Sequence, residues 1–164
     1  MAKISSSRQD AELLSLSKAA EALIRECRMV LPGIQALFGF QLIAVFNSVF
    51  SDKLSPLEQK LHLLSIFLIA VAIVIIMTPA AYHRQTDRQH VTQQFIDLST
   101  RLLLLCMIPL ALSISIDVYL ISRLILNDVL FSLLITLILL IIFIILWFVL
   151  PRSERLKAIL GGER

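Results

Sequence analysis

Read from its N-terminus, the chain alternates short charged stretches with long runs that carry almost no charge. Val30 to Phe50 has no charge over 21 residues, and Leu61 to Tyr82 holds only His62 as an ionisable group before the tyrosine. Leu102 to Ser122 is apolar apart from serines, Tyr119 and one aspartate, and Val129 to Leu150 runs 22 residues without a charge. At 1.5 Å of rise per residue each run reaches roughly 30 Å, the thickness of a bilayer's hydrocarbon core. The pattern predicts four transmembrane helices, at about 30–50, 61–82, 102–122 and 129–150, forming an all-α integral membrane bundle over residues 29–150. Breakers and caps mark the ends. Ser55-Pro56-Leu57-Glu58 has the spacing of a capping box with proline at the first helical position. Asn127-Asp128 supplies side-chain acceptors before the fourth run, and Pro151-Arg152 closes it. The connections are short, so consecutive helices are expected to be antiparallel neighbours.

The segment before the first run has its own periodicity. Leu13, Leu16, Ala20, Leu23, Cys27 and Val30 recur at helical spacing, with Lys18, Glu21, Arg25 and Arg28 on another face. Residues 1–28 are therefore expected to form an amphipathic helix on the cytoplasmic membrane surface, leading into the first span. A short oligomerisation seam is the alternative, since coiled coils use the same spacing.

Composition narrows the class. Of 164 residues, 58% are hydrophobic and 16% charged, where soluble domains average about 45–50% and about 25%. This excludes a soluble globular enzyme, a disordered chain and a disulfide scaffold. Cys27 and Cys106 lie far apart, with neither a CxxC pair nor a ligand spacing, and read as reduced, small apolar residues. A net charge of +3 would suit nucleic acid, but the cations form no patch interleaved with aromatics, and no nucleic-acid partner is expected. Their distribution fits membrane topology instead. Twelve of the fifteen Lys and Arg residues fall in the N-terminal segment, the middle loop and the 151–164 tail, leaving Lys53, Lys60 and Arg123 for the other side. The positive-inside rule then places both termini in the cytoplasm, with the protein in the cytoplasmic (inner) membrane. The charged N-terminus lacks a signal-peptide pattern, so the first span is expected to direct insertion.

Polar groups inside apolar runs are the candidates for function. Asp117 lies five residues inside the end of the third span, and an intramembrane carboxylate costs about 2.5–3.5 kcal/mol on insertion scales. Asn47, His62, Ser132 and Thr136 should lie at a similar depth. An Asp–His pair there is a workable proton relay, because histidine titrates near neutrality. It is equally a workable interhelical clamp, worth about 0.6 kcal/mol per hydrogen bond in membranes. The first span also carries Gln35 and Gln41 on different faces, and Pro109 should kink the third span by freeing the carbonyl of Leu105. His83, Asp87 and His90 could share a helical face as metal ligands, but Arg84 and Arg88 interleave them, and a solvated charged extension is the preferred reading. With no nucleophile–base pair, phosphate loop or HExxH motif, neither enzymatic activity nor a cofactor is expected.

Three blocks carry a resemblance. Glu26-x-Arg28-x-x-Leu31-Pro32-Gly33-x-Gln35-x-Leu37-Phe38-x-Phe40-Gln41 resembles the opening of an uncharacterised bacterial family of small four-helix membrane proteins, often labelled sodium:proton antiporters. Pro79-Ala80-Ala81-Tyr82-His83-Arg84 is similar to that family's second signature, and Pro109 through Tyr119 to a third block. Ser113 and Ser115 stand where that block is expected to hold glycines, which polarises the helix contact there. The resemblance implies that the first two signatures meet at a cytoplasmic corner, with Arg28, Pro32, Gln35 and Tyr82 around a pairing of Glu26 with Arg84 or His83. Taken together, the leading expectation is an oligomeric ion or proton conduit in the lipid bilayer. The alternative is a non-transporting structural or regulatory subunit that binds a partner protein.

Overall fold

The computed structural model describes residues 2–85 and 92–152, with side chains from residue 16 onward except Val49, Ser51, His83 and Gln85. Its elements are α1 (Ala2–Val45), α2 (Ser48–Lys53), α3 (Pro56–Gln85), α4 (Gln93–Leu126) and α5 (Val129–Ile144), the last running into a π-helical turn at Ile145–Val149 and a 3₁₀ turn at Leu150–Arg152. There is no strand among the described residues. Four segments are long and apolar enough to cross a membrane: Leu16–Val45, Pro56–Tyr82, Gln93–Leu126 and Val129–Arg152.

The elements differ from the runs of hydrophobicity in three places. The first helix has no boundary near residue 28: it continues from Ala2 through Pro32 to Val45. It also stops before the apolar run does. Phe46 and Asn47 donate backbone bonds to Ile43 and Ala44, and α2 starts at Ser48. Asn and Ser side chains compete for backbone groups, which interrupts a helix that hydrophobicity alone would continue. At the far end of α5, the Leu150 N–H reaches back five residues to the Ile145 carbonyl. Pro151 has no N–H to offer the carbonyl of Trp147, so the final turns rewind.

Burial follows a seven-residue repeat along the helices. On α3 the buried positions are Glu58, His62, Ser65, Ile69, Ala72, Ile76 and Pro79, in alternating steps of four and three. On α4 Phe95, Ser99, Cys106, Pro109, Ser113 and Leu120 keep the same phase, and on α1 so do Ala20, Ile34 and Gln41. This is the seam that near-parallel helices use to interlock side chains. Away from the seam large apolar side chains face outward, among them Phe40 at 70%, Ile125 at 75% and Leu130 at 73% exposure. Such faces suit a lipid environment and would aggregate in water.

The chain divides into two compact units. One contains the described residues up to Phe40 together with Ala70–Cys106; Ala20, Ile34, Ala72, Ile76, Phe95 and Cys106 are its buried apolar residues, and Tyr82 stacks on Phe95 at 5.9 Å. The other runs from Gln41 to Ile69 and onward from Met107.

In this second unit the caps form as their sequences predict. The Ser55 N–H donates to Glu58 Oε2 at 2.9 Å and the Glu58 N–H to Ser55 Oγ at 3.4 Å, the reciprocal bonds of a capping box. The free carboxylate oxygen, Glu58 Oε1, accepts from Arg123 Nε of α4 at 3.1 Å. Asp128 caps α5 by accepting from the N–H groups of Leu130 and Phe131, and Asn127 before it takes the left-handed conformation, φ 52°. Asp128→Ala should therefore lower stability by about 1 kcal/mol, the usual value of such a cap. Glu58→Ala should lower it by more, because the cap is lost and Arg123 is left unpaired. Unfolding midpoints in mixed micelles measure both.

Candidate functional site

In the second unit, four polar side chains from three apolar helices meet around one carboxylate. Asp117 sits on α4 one turn after Ser113, and Ser65 on α3 follows His62 by three residues, so each pair shares a helix face. Gln41 lies near the end of α1. The side-chain amide of Gln41 donates from Nε2 to Asp117 Oδ2 at 2.5 Å, to Ser65 Oγ at 2.6 Å and to Ser113 Oγ at 3.0 Å, so two N–H bonds are shared among three oxygens. Ser65 Oγ in turn donates to Asp117 Oδ1 at 2.7 Å, and Ser113 Oγ donates to the Ser65 carbonyl at 2.9 Å. Both carboxylate oxygens thus have a donor. Ser65 and Ser113 are wholly buried and Gln41 is 4% exposed.

His62 completes the group. Its Nε2 lies 3.0 Å from the Gln41 backbone carbonyl, and its Nδ1 lies 3.7 Å from Asp117 Oδ1. A carbonyl only accepts, so Nε2 carries the hydrogen. In the neutral ring Nδ1 is then a bare acceptor, facing an oxygen that is also an acceptor. One proton between them resolves the opposition, as imidazolium beside carboxylate or as imidazole beside carboxylic acid. The edge of Phe50, on α2, packs against the His62 ring at 5.2 Å, and a cleft of about 370 Å³ lined by Phe50, Lys60 and Leu63 reaches the imidazole. The remaining amide atom, Gln41 Oε1, is buried without a hydrogen-bond partner, leaving an acceptor at the edge of the cluster.

Of the residues singled out from the sequence, Asp117 and His62 come together. Ser132 and Thr136 do not join them: their hydroxyls donate to the carbonyls of Asp128 and Ser132 on their own helix. Asn47 is exposed in the turn after α1, where its carbonyl accepts from the Phe50 N–H. Depth along a span had grouped these residues, whereas the angular position of each decides what it reaches. Gln41, which the sequence shows as an amide within the first span, and Ser65, which sequence reasoning missed, supply the donors to Asp117, and Ser113 polarises the helix contact as expected. The spacings His62-x-x-Ser65 and Ser113-x-x-x-Asp117 were the available signal.

In the first unit, Arg28 and Arg84 line one cavity of about 260 Å³. Glu26, Pro32 and Gln35 are exposed, and no ion pair joins Glu26 to Arg84 among the described residues. Of the candidate metal ligands, Asp87, His90 and the side chain of His83 lie outside the described residues; among those described, no three His, Cys, Asp or Glu side chains cluster.

Four membrane-length helices, two of which supply donors to a half-buried carboxylate on a third, fit a multi-pass membrane protein. The chain belongs to DUF6328, a family of unknown function whose profile matches residues 12–151. No curated protein and no solved structure matches it.

Ser65→Ala removes a donor to Asp117 and an acceptor for Gln41, and should destabilise the protein by about 1–3 kcal/mol, as expected when buried partners are orphaned. Ser115 is also buried, but its hydroxyl bonds only the Ala111 carbonyl on its own helix. Ser115→Ala should be nearly neutral in the same micelle unfolding assay.

Proposed function

We propose that this protein is a proton conduit of the cytoplasmic membrane in which His62 and Asp117 hold and exchange a single proton. Both termini lie in the cytoplasm, and the conducting form is a homo-oligomer, because one set of four helices offers little interior for a continuous path. The observation that carries the reading is the facing of Nδ1 and Oδ1 at 3.7 Å, with Nε2 held by a backbone carbonyl. With Nε2 held by the carbonyl, Nδ1 is the ring position that exchanges a proton with the carboxylate. The cleft at His62 supports an approach for water to the ring. The charge asymmetry of the loops supports the orientation.

A structural subunit that binds a partner protein and moves nothing is the competing reading. The double occupancy of the Asp117 oxygens favours it, since a clamp needs its donors satisfied.

Proton flux into proteoliposomes separates the two. Under the conduit reading, wild-type protein dissipates an imposed proton gradient and Asp117→Asn reduces the flux by about 10²-fold, the low end of what a positioned proton-transfer group contributes. Asp117→Glu, which keeps the titrating group, should retain part of the flux. Absence of flux in the wild type, or equal flux in wild type and Asp117→Asn, contradicts the conduit.

A further inference from the structure

The first unit carries a second polar feature that the proton pair does not use. Its cavity of about 260 Å³ is walled by apolar side chains of α1, α3 and α4, among them Leu31, Ala80 and Phe95. Two cations, Arg28 and Arg84, stand on the lining, and no acidic residue does among the described residues. Both arginines are exposed, and neither forms an ion pair with a described residue. Deeper, one turn beyond Phe95 on α4, the Ser99 hydroxyl is 1% exposed and has no hydrogen-bond partner. Other helical hydroxyls behave otherwise: Thr100, Ser115 and Thr136 each donate to a carbonyl four residues back. A buried hydroxyl left open beside a cavity calls for a polar group supplied from within it.

From this arrangement we infer that the cavity binds one anionic glycerophospholipid of the surrounding membrane. The phosphate sits between the Arg28 and Arg84 guanidinium groups, whose planar forks suit phosphate oxygens. An ester carbonyl accepts from the Ser99 hydroxyl, and an acyl chain lies along the apolar wall. Each part of the lipid meets its complement: anion against the two arginines, carbonyl against hydroxyl, hydrocarbon against hydrocarbon. Basic pockets between spanning helices are a recurrent way to hold anionic head groups. The site is independent of the proton pair and stands whether or not the protein conducts.

Native mass spectrometry of the full chain, released from vesicles of equal phosphatidylglycerol and phosphatidylcholine content, tests it. The wild type should retain one phosphatidylglycerol in preference to phosphatidylcholine. Arg28→Gln combined with Arg84→Gln should weaken that retention about 30-fold, from about 1 kcal/mol per cation near the surface and about 1.4 kcal/mol per tenfold. Ala80→Leu, which fills the cavity and keeps both arginines, should also lose the lipid, with circular dichroism showing unchanged helicity in each variant. Equal retention of the two lipids, wild-type retention by the double variant, or unaltered retention by Ala80→Leu overturns the assignment. Inorganic phosphate displacing the lipid at comparable concentration overturns it too, since the site would then serve a free anion.

Discussion

A carboxylate placed among apolar helices must bring its own hydrogen-bond donors, and the second unit is arranged around that requirement. Without water to solvate it, an ionised aspartate in hydrocarbon is expensive. Asp117 meets the demand with Gln41 from α1 and Ser65 from α3, so one side chain on α4 fixes two other helices in rotation and in register. A slip of one residue on any of them would turn the donor away from the seam and leave a charge unsatisfied. Apolar contacts alone tolerate such slips, because lipid is as apolar as leucine and burial between helices gains little. Specificity in this unit therefore comes from its polar minority.

The same economy explains where polar groups do not cluster. Ser115, Ser132, Thr136 and Thr78 bond to carbonyls of their own helices, which satisfies the hydroxyl locally and leaves no interaction with a neighbour. The side chains that bond across helices here are those that face a polar position of another helix, as Asp117 faces Gln41 and Ser65. The Glu58–Arg123 pair acts similarly between α3 and α4, with the carboxylate already held by the capping box, so one oxygen serves the helix end and the other the neighbouring helix.

Much of this was legible in the sequence. Four helices follow from run length, and the caps at Ser55 and Asp128 from side-chain chemistry alone. The meeting of Asp117 with His62 followed from depth, since both lie near corresponding ends of antiparallel spans. Depth failed for Asn47, Ser132 and Thr136 because it leaves rotation about the helix axis free. Hydrophobic periodicity could not supply that rotation: in a helix apolar on all sides, the buried seam is no more hydrophobic than the lipid-facing surface. Ser65 joins the cluster because it falls on the 58-62-65-69-72-76-79 repeat of α3, at a position where an apolar side chain would pack equally well. The end of α1 at Val45 was hidden for a related reason, since Phe46, Val49 and Phe50 continue the apolar run through a turn set by Asn47 and Ser48.

The central claim is that Gln41 and Asp117 act on each other across two helices. A double-mutant cycle with Gln41→Leu, Asp117→Leu and the combined variant, read as unfolding free energy in mixed micelles, measures that coupling directly. A coupling of about 1 kcal/mol or more is expected, above the average of about 0.6 kcal/mol for hydrogen bonds between membrane helices. Single-variant losses that simply add would contradict it, and would return Asp117 to an incidental polar residue.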